Sequence, residues 1–411
     1  MNHGTPNRTR SRLVLTAASA LLLTSALVAQ TAAAADTTTT STTPTSTSTS
    51  STTTTTSATS TTSTTSSTDT TTSTSTTSTP PSSSAPGTSS PGSTAPDLSS
   101  SIPVITAAAS ALPLFIAAGT PSQSPAGSAI EINDYSAVSE YVADPSPELT
   151  STFENFFDQG GVTAYLWLTP DEQAATLLSA IGQIAQSNTP ATIFVIPALS
   201  TLDGQDYLDV ATSLAALADG TLGMALLDTP ATVVAAVKAA WPDVSAFTAL
   251  VAQLRTSITA KGATAPNSAA LYAAPLIDPS SGDTVPAAVV MAGIVVRQDL
   301  EVGPWAAPAG GSVPVLGLNV SLPFTNAQQG ALGSGINVFR SFPNYGTVMW
   351  GARTLSTGEE YEYISVSRTA DWIERSMSSG LAWTVFQPNN PATQDLVNRT
   401  VSAFLATAWE Q

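Results

Sequence analysis

Residues 101–411 predict a layered α/β fold with a mostly parallel sheet, followed by an α+β module. Short apolar runs alternate with amphipathic stretches from Ile130 to Tyr272. Those runs lack period-2 alternation, as expected of strands covered by helices on both faces. After Gly310–Gly311 the texture changes to short strands separated by turn residues, then two amphipathic stretches. Strand–helix repeats of the first kind mean a layered, mostly parallel sheet.

Each element has a local reason. Asp134 can cap a short helix to about Val142. Ser146 or Thr150 opens a second helix carrying Phe153, Phe156 and Phe157, and Gly160–Gly161 ends it, because glycine readily takes the left-handed C-cap. Val162–Leu168 reads as a strand. Thr169-Pro170-Asp171-Glu172 puts Thr at the N-cap, Pro at the first helical position and Glu at the third, a capping box that predicts a helix to about Gln186. Strands follow at Thr192–Ile196, Gly223–Leu227 and Ala270–Ala273, with helices at Gln205–Ala218 and across Ala231–Ile258. Thr284–Arg297 reads as one more helix on the sheet. In the second module, Val313–Leu322, Ile336–Phe339, Thr347–Arg353 and Tyr361–Ser367 read as strands. Helices are expected at about Thr369–Ser378 and Thr393–Trp409, with a strand at Trp383–Phe386 between them.

Two further zones precede this region. Residues 1–35 read as an export signal: Arg8, Arg10 and Arg12, an apolar stretch from Leu13 to Ala29, then small residues Ala32 to Ala35 suited to cleavage. The apolar run is roughly 17 residues against the ~20 that span a bilayer; an uncleaved signal anchor is the alternative. Cleavage there removes three of the 12 basic residues and none of the 29 acidic ones, taking the charge from −17 to −20. Residues 36–100 read as a linker: between Thr37 and Thr79 every residue is Ser or Thr except Pro44, Ala58 and Asp69. Such a segment has little apolar surface to offset the entropy of ordering. It resembles either an O-glycosylated stalk or a plain spacer.

Composition excludes much chemistry. The chain has no Cys, and its one His is His3. Ser-His-Asp and Cys-His catalysis, His- or Cys-built zinc sites, haem ligation and disulfides are therefore excluded for residues 36–411. The acidic balance argues against nucleic acid as a partner, since phosphate neutralisation needs Lys and Arg. Phosphate loops fail because neither Lys238 nor Lys261 sits in the required frame. No cofactor or small-molecule substrate is indicated. Paired carboxylates are the remaining acid–base option. The groups are Asp299 with Glu301, then Glu359, Glu360 and Glu362, then Asp371 with Glu374. Solvated loop positions account for the first two groups, and an exposed i,i+4 ion pair between Asp371 and Arg375 for the third.

Aromatic and Arg residues concentrate in the C-terminal third: Phe339, Arg340, Phe342, Tyr345, Trp350, Arg353, Tyr361, Tyr363, Trp372 and Trp383. These residue types dominate protein–protein hot spots, and an ordinary aromatic core is the alternative. Pro343, Gly346 and Gly351 are expected to shape turns around a central strand. Trp350, Trp372 and Trp383 are expected to fill the module's core. Arg340, Arg353 and Arg368 are candidates for intersubunit or interdomain pairing with carboxylates.

The segment Gly335–Leu355, GINVFRSFPNYGTVMWGARTL, closely resembles contractile phage tail sheath proteins. Tyr363–Met377, YISVSRTADWIERSM, and Gly380–Asn389, GLAWTVFQPN, extend the likeness. Upstream, Ala292–Asp299 and Gly303–Ala309 are similar to the family's link between its two core domains, and Phe156–Tyr165 to its FF-x-NGG-x-x-AY pattern. The resemblance implies a tail sheath N-terminal and subtilisin-like α/β domain over 101–311, without the protease site, and a sheath C-terminal α+β domain over 312–411. It implies a non-enzymatic subunit that polymerises around a tail tube protein and contracts by rigid-body rearrangement between two packings. Other sheath subunits would then be its partners, through arms that add strands to neighbouring sheets. The chain departs from that pattern at both ends: signal and Ser/Thr tract replace the usual N-terminal arm, and Gln411 follows directly after a helix. An exported or surface-tethered binding module that keeps the fold without polymerising is the alternative. Location divides likewise, between export to the cell surface and a phage-tail-like particle assembled in the cytoplasm.

Overall fold

The computed structural model describes residues 103–123, 127–261 and 266–411; the expected signal and Ser/Thr linker lie outside them. Six strands form the main sheet: β1 (Pro113–Ala118), β2 (Ala129–Ile132), β3 (Ala164–Thr169), β4 (Ile193–Val195), β5 (Met224–Asp228) and β6 (Ala269–Tyr272). Their order is β2-β3-β1-β4-β5-β6. All neighbours run parallel except β2, which lies antiparallel on β3. The layered α/β fold expected from the sequence is present.

Both faces of the sheet are covered, which explains the continuous apolar runs. Leu114 and Ile116 of β1 face one cluster, and Phe115 and Ala117 the other, as the period of a strand requires. The first face carries α2 (Ala174–Ile184), α3 (Gly204–Gly220), α4 (Ala231–Ala240) and α5 (Ser245–Ala260). The second carries α1 (Pro147–Asp158) and α6 (Ala287–Glu301), whose residues 287–296 are all buried. Gly293 lets these two helices close up, since a Cβ there would lie 2.5 Å from the Phe156 carbonyl oxygen. At the head of α1, the Ser146 hydroxyl accepts from the Leu149 amide, and Gly160 takes φ +102 two residues past its end.

The rest of the chain inserts into the same clusters. Strands β7 (Leu276–Ile277), β8 (Thr284–Val285) and β9 (Asn319–Val320) form a small antiparallel sheet. After α7 (Asn326–Leu332) comes a hairpin, β10 (Phe339–Phe342) with β11 (Gly346–Met349). Ile336, Val338 and Leu355 enter the first cluster, whereas Phe339, Met349 and Ile364 enter the second. Finally α8 (Ile364–Gly380) and α9 (Pro391–Trp409) build a third cluster of Trp372, Phe404 and Ile105.

Several sequence expectations need correction. Thr169 does not cap a helix: it is the last residue of β3, paired with Ala118, and its carbonyl accepts from the Gly119 amide. Asp171 instead accepts from the Gln173 amide, and α2 starts at Ala174. Residues 361–367 do not form a strand. Only an isolated Arg353–Tyr363 bridge is made there, and α8 begins at Ile364 because Ile364, Ser367 and Arg368 bury one helical face. Trp383–Phe386 lacks a ladder partner. Local bonds fold Ala382–Thr384 into a 3₁₀ turn, and Phe386 takes φ +68. Most of 313–322 is irregular, with a bridge from Pro314 to Val348 and the two residues of β9. The helix expected from Thr284 starts at Ala287, after β8 and Pro286.

Candidate functional site

Of the residues singled out from the sequence, Gly351 and Arg353 lie where the C-terminal third meets the edge of the main sheet. Asn337 is the clasp at this edge, with 1% exposure. Its backbone runs parallel to Tyr272 of β6, its amide bonds the Leu271 carbonyl, and its carbonyl accepts from the Ala273 amide. The side chain then reaches across: Nδ2 donates to the carbonyls of Leu271 (3.1 Å) and Arg353 (2.8 Å), and Oδ1 accepts from the Arg353 amide at 2.8 Å. Gly351 keeps the approach open, because a Cβ there would sit 3.1 Å from that Oδ1. Leu355 completes the seam by donating to the Ala269 carbonyl at 2.9 Å. One neutral side chain thus satisfies three main-chain groups on two segments.

The three arginine candidates have different fates. Arg368 is buried with Asp299 in a bidentate pair at 2.9 and 2.7 Å, the two side chains being 5% and 4% exposed. It ties α8 to the end of α6. Arg353 pairs with Glu362 and lies over the Tyr363 ring, 5.6 Å from its centroid. Arg340 bonds neutral partners, Asn326 Oδ1 at 2.8 Å and Gln329 Oε1 at 3.0 Å, and stacks 4.8 Å over Phe342. Phe342 in turn packs on Trp350 with centroids 4.5 Å apart. Pro343 and Gly346 lie in the tip of this hairpin, where Gly346 takes φ +68 and Tyr345 is half exposed. Trp372 belongs to the third cluster, whereas Trp350 and Trp383 are only partly buried.

Asp371 and Arg375 are not the exposed pair the sequence suggests. Burial pushes the Asp371 carboxyl up to about 6 against the pull of Arg375, and its Oδ2 has no hydrogen-bond partner. Burial also lowers Arg375 to about 10, and its guanidinium donates to the Leu222 and Ala109 carbonyls. Sequence reading missed Asp228, the last residue of β5. It is completely buried, so loss of water raises its carboxyl to about 7, partly opposed by the Ala288 and Ala287 amides at the start of α6. Its closing position on an apolar strand is the signal that could have marked it.

These groups have structural partners. Asp299 is held by Arg368, Glu362 by Arg353, and Asp228 by helix amides. Glu359 and Glu360 are exposed. Among the described residues no group of three or more His, Cys, Asp or Glu could hold a metal ion. An open cleft of about 460 Å³ lies between Thr384 and the start of α9, lined by Gln387, Asn389, Thr393, Gln394, Val397 and Asn398, none of them charged. No described helix is long and apolar enough to cross a membrane.

No protein-family model and no curated protein matches the chain. Solved structures do. The sheath complex of an extracellular contractile injection system, PVC, in its contracted state superposes with a TM-score of 0.61 at 25% identity, over 79% of this chain and 83% of that one. The helical sheath of the anti-feeding prophage in its contracted state gives 0.59 at 27% identity, over 79% and 84%. A sheath tail protein from Listeria innocua gives 0.51 at 9% identity, over 72% and 83%, a likeness of fold alone. The chain carries the fold of the contractile sheath proteins, and the two at 25–27% identity come from the sheaths of contractile particles.

Proposed function

We propose that this protein is a non-enzymatic sheath subunit of a contractile, phage-like particle, working through self-assembly or co-assembly with other sheath subunits around a tail tube protein. The observation that carries the reading is the likeness to injection-system sheaths at 25–27% identity over 79% of the chain. The seam at Asn337, which joins the C-terminal segment to the sheet edge, and the Arg368–Asp299 pair, which joins α8 to α6, fit a subunit that moves as a rigid body. The division at 311/312 into a subtilisin-like domain and a sheath C-terminal domain belongs to the same proposal. Of the three arginines, Arg340 is the one left for a neighbour's carboxylate, because its partners in the chain are neutral. Sedimentation velocity of the chain from residue 36 onward tests the reading, at raised salt to screen the acidic charge. Species far above monomer mass support it. A monomer at every concentration, alone and with a sheath subunit that carries both arms, refutes it.

A second reading has its own observation, the signal-like residues 1–35 before the Ser/Thr tract. In it the chain is an exported or surface-tethered binding module that keeps the fold without polymerising. Recovery of the native chain outside the cell, cleaved near residue 35 and monomeric, supports this second reading over the first.

A further inference from the structure

The segment ahead of β1 is held by the far end of the chain. Residues 103–112 are irregular, and the polar contacts of 108–110 come almost entirely from one face of α8. Ser376 Oγ accepts from the Ala108 amide at 2.9 Å, and Trp372 Nε1 donates to the Ala108 carbonyl at 2.9 Å. Arg375 Nη2 donates to the Ala109 carbonyl at 3.3 Å, and Arg368 Nη2 to the Ser110 carbonyl at 3.0 Å. Positions 368, 372, 375 and 376 follow the i, i+4, i+7, i+8 spacing of a single helical stripe. On the sheet side, Thr192 Oγ1 contacts Ser110 and Leu112.

All of these contacts read main-chain atoms, so they hold an extended segment without fixing its register. Ile105 fixes it. That side chain is 6% exposed between Trp372 and Phe404 while its neighbour Val104 is 84% exposed. It lies directly over Gly380, where an added Cβ would meet Ile105 Cγ1 at 2.6 Å. The plug therefore needs both an apolar side chain at 105 and a bare backbone at 380.

We infer that residues 105–110 form a latch whose seating is coupled to the docking of α8 and α9, so that drawing out the chain ahead of residue 103 loosens the C-terminal helices before the sheet. The coupling is reciprocal by linkage: helices that lose the plug hold the segment less well. The buried Asp299–Arg368 pair remains when the segment leaves, which keeps α8 near α6 and makes release a local event. The latch thereby gives the N-terminal chain a mechanical connection to the C-terminal helices.

Hydrogen exchange on the chain from residue 36 onward tests this from both sides of the plug. Ile105→Ser removes the plug, and Gly380→Ala fills its socket without changing the segment. Either substitution is expected to speed exchange at Ala108 and along α9 by about tenfold or more, with β4 and β5 unchanged. Free exchange at Ala108 with α9 still fully protected would overturn the coupling. Equal loss of protection in the sheet would overturn it too, because the segment would then be part of one cooperative core. Ser376→Ala, which removes the acceptor of the Ala108 amide and a bond to the Trp372 carbonyl, should speed exchange at Ala108 directly; no change there would remove α8 as the holder.

Discussion

Breaking the Arg368–Asp299 pair should cost more when one partner is removed than when both are. The side chains are 5% and 4% exposed, and two hydrogen bonds of 2.9 and 2.7 Å join them. Asp299→Leu leaves a buried guanidinium without its carboxylate, and Arg368→Met leaves a buried carboxylate without its cation. Each should destabilise by about 3–5 kcal/mol, the usual cost of stranding one charge of a buried pair. The double variant strands neither charge. Its remaining loss is the bond to the Ser110 carbonyl, which keeps the Thr192 hydroxyl as a donor, so about 1 kcal/mol. Urea unfolding of the four proteins, followed by tryptophan fluorescence and far-ultraviolet circular dichroism, gives the coupling free energy directly. A double variant costing about as much as the two single ones together would refute the reasoning. A coupling free energy that falls with salt, as screening predicts for an exposed pair such as Arg399–Asp395, would also refute it.

Asp228→Asn keeps an acceptor for the Ala288 amide and removes the buried charge. Because burial raises the folded pKa from 3.8 to about 7, the native state binds the extra proton between those values. Stability should therefore fall as pH rises through that window, by up to about 4 kcal/mol, and Asp228→Asn should flatten the slope. Equal slopes from pH 5 to pH 8 would contradict this. Asn337→Ala leaves the Arg353 amide and carbonyl without their side-chain partner and should cost about 2–4 kcal/mol, with faster exchange over 351–355. Protection there equal to wild type would count against the clasp. Gly346→Ala must take φ +68 in the hairpin tip, at about 1–2 kcal/mol in thermal unfolding, and an unchanged midpoint would speak against that turn.

Legibility followed the burial pattern. Strands β3 to β6 could be read because helices cover both faces and leave uninterrupted apolar runs, and α1 because Ser146 and Gly160 mark its ends. The central strand β1 was not singled out, since Pro113 and the small residues around it dilute its apolar signal. Thr169 misled because tertiary pairing with Ala118 took a residue that local capping also suits. Residues 361–367 misled because Tyr361, Tyr363 and Ile364 imitate a strand, whereas Ser367 and Arg368 are buried through partners distant in sequence. At the site, Arg368 stood out by residue type, but its partner Asp299 read as a solvated loop acid until the end of α6 met α8. Asn337 carries no signature without the fold, because its role is set by amides and carbonyls that only the assembled chain brings near.

The central claim is that this chain is a sheath-type assembly subunit, and negative-stain electron microscopy of the purified chain from residue 36 onward tests it most directly. The grid should be prepared alone and after mixing with a sheath subunit that carries both terminal arms. Tubes or stacked rings that incorporate this chain are the predicted result. Single particles of monomer size in both preparations, with no incorporation into the partner's tubes, would contradict the account.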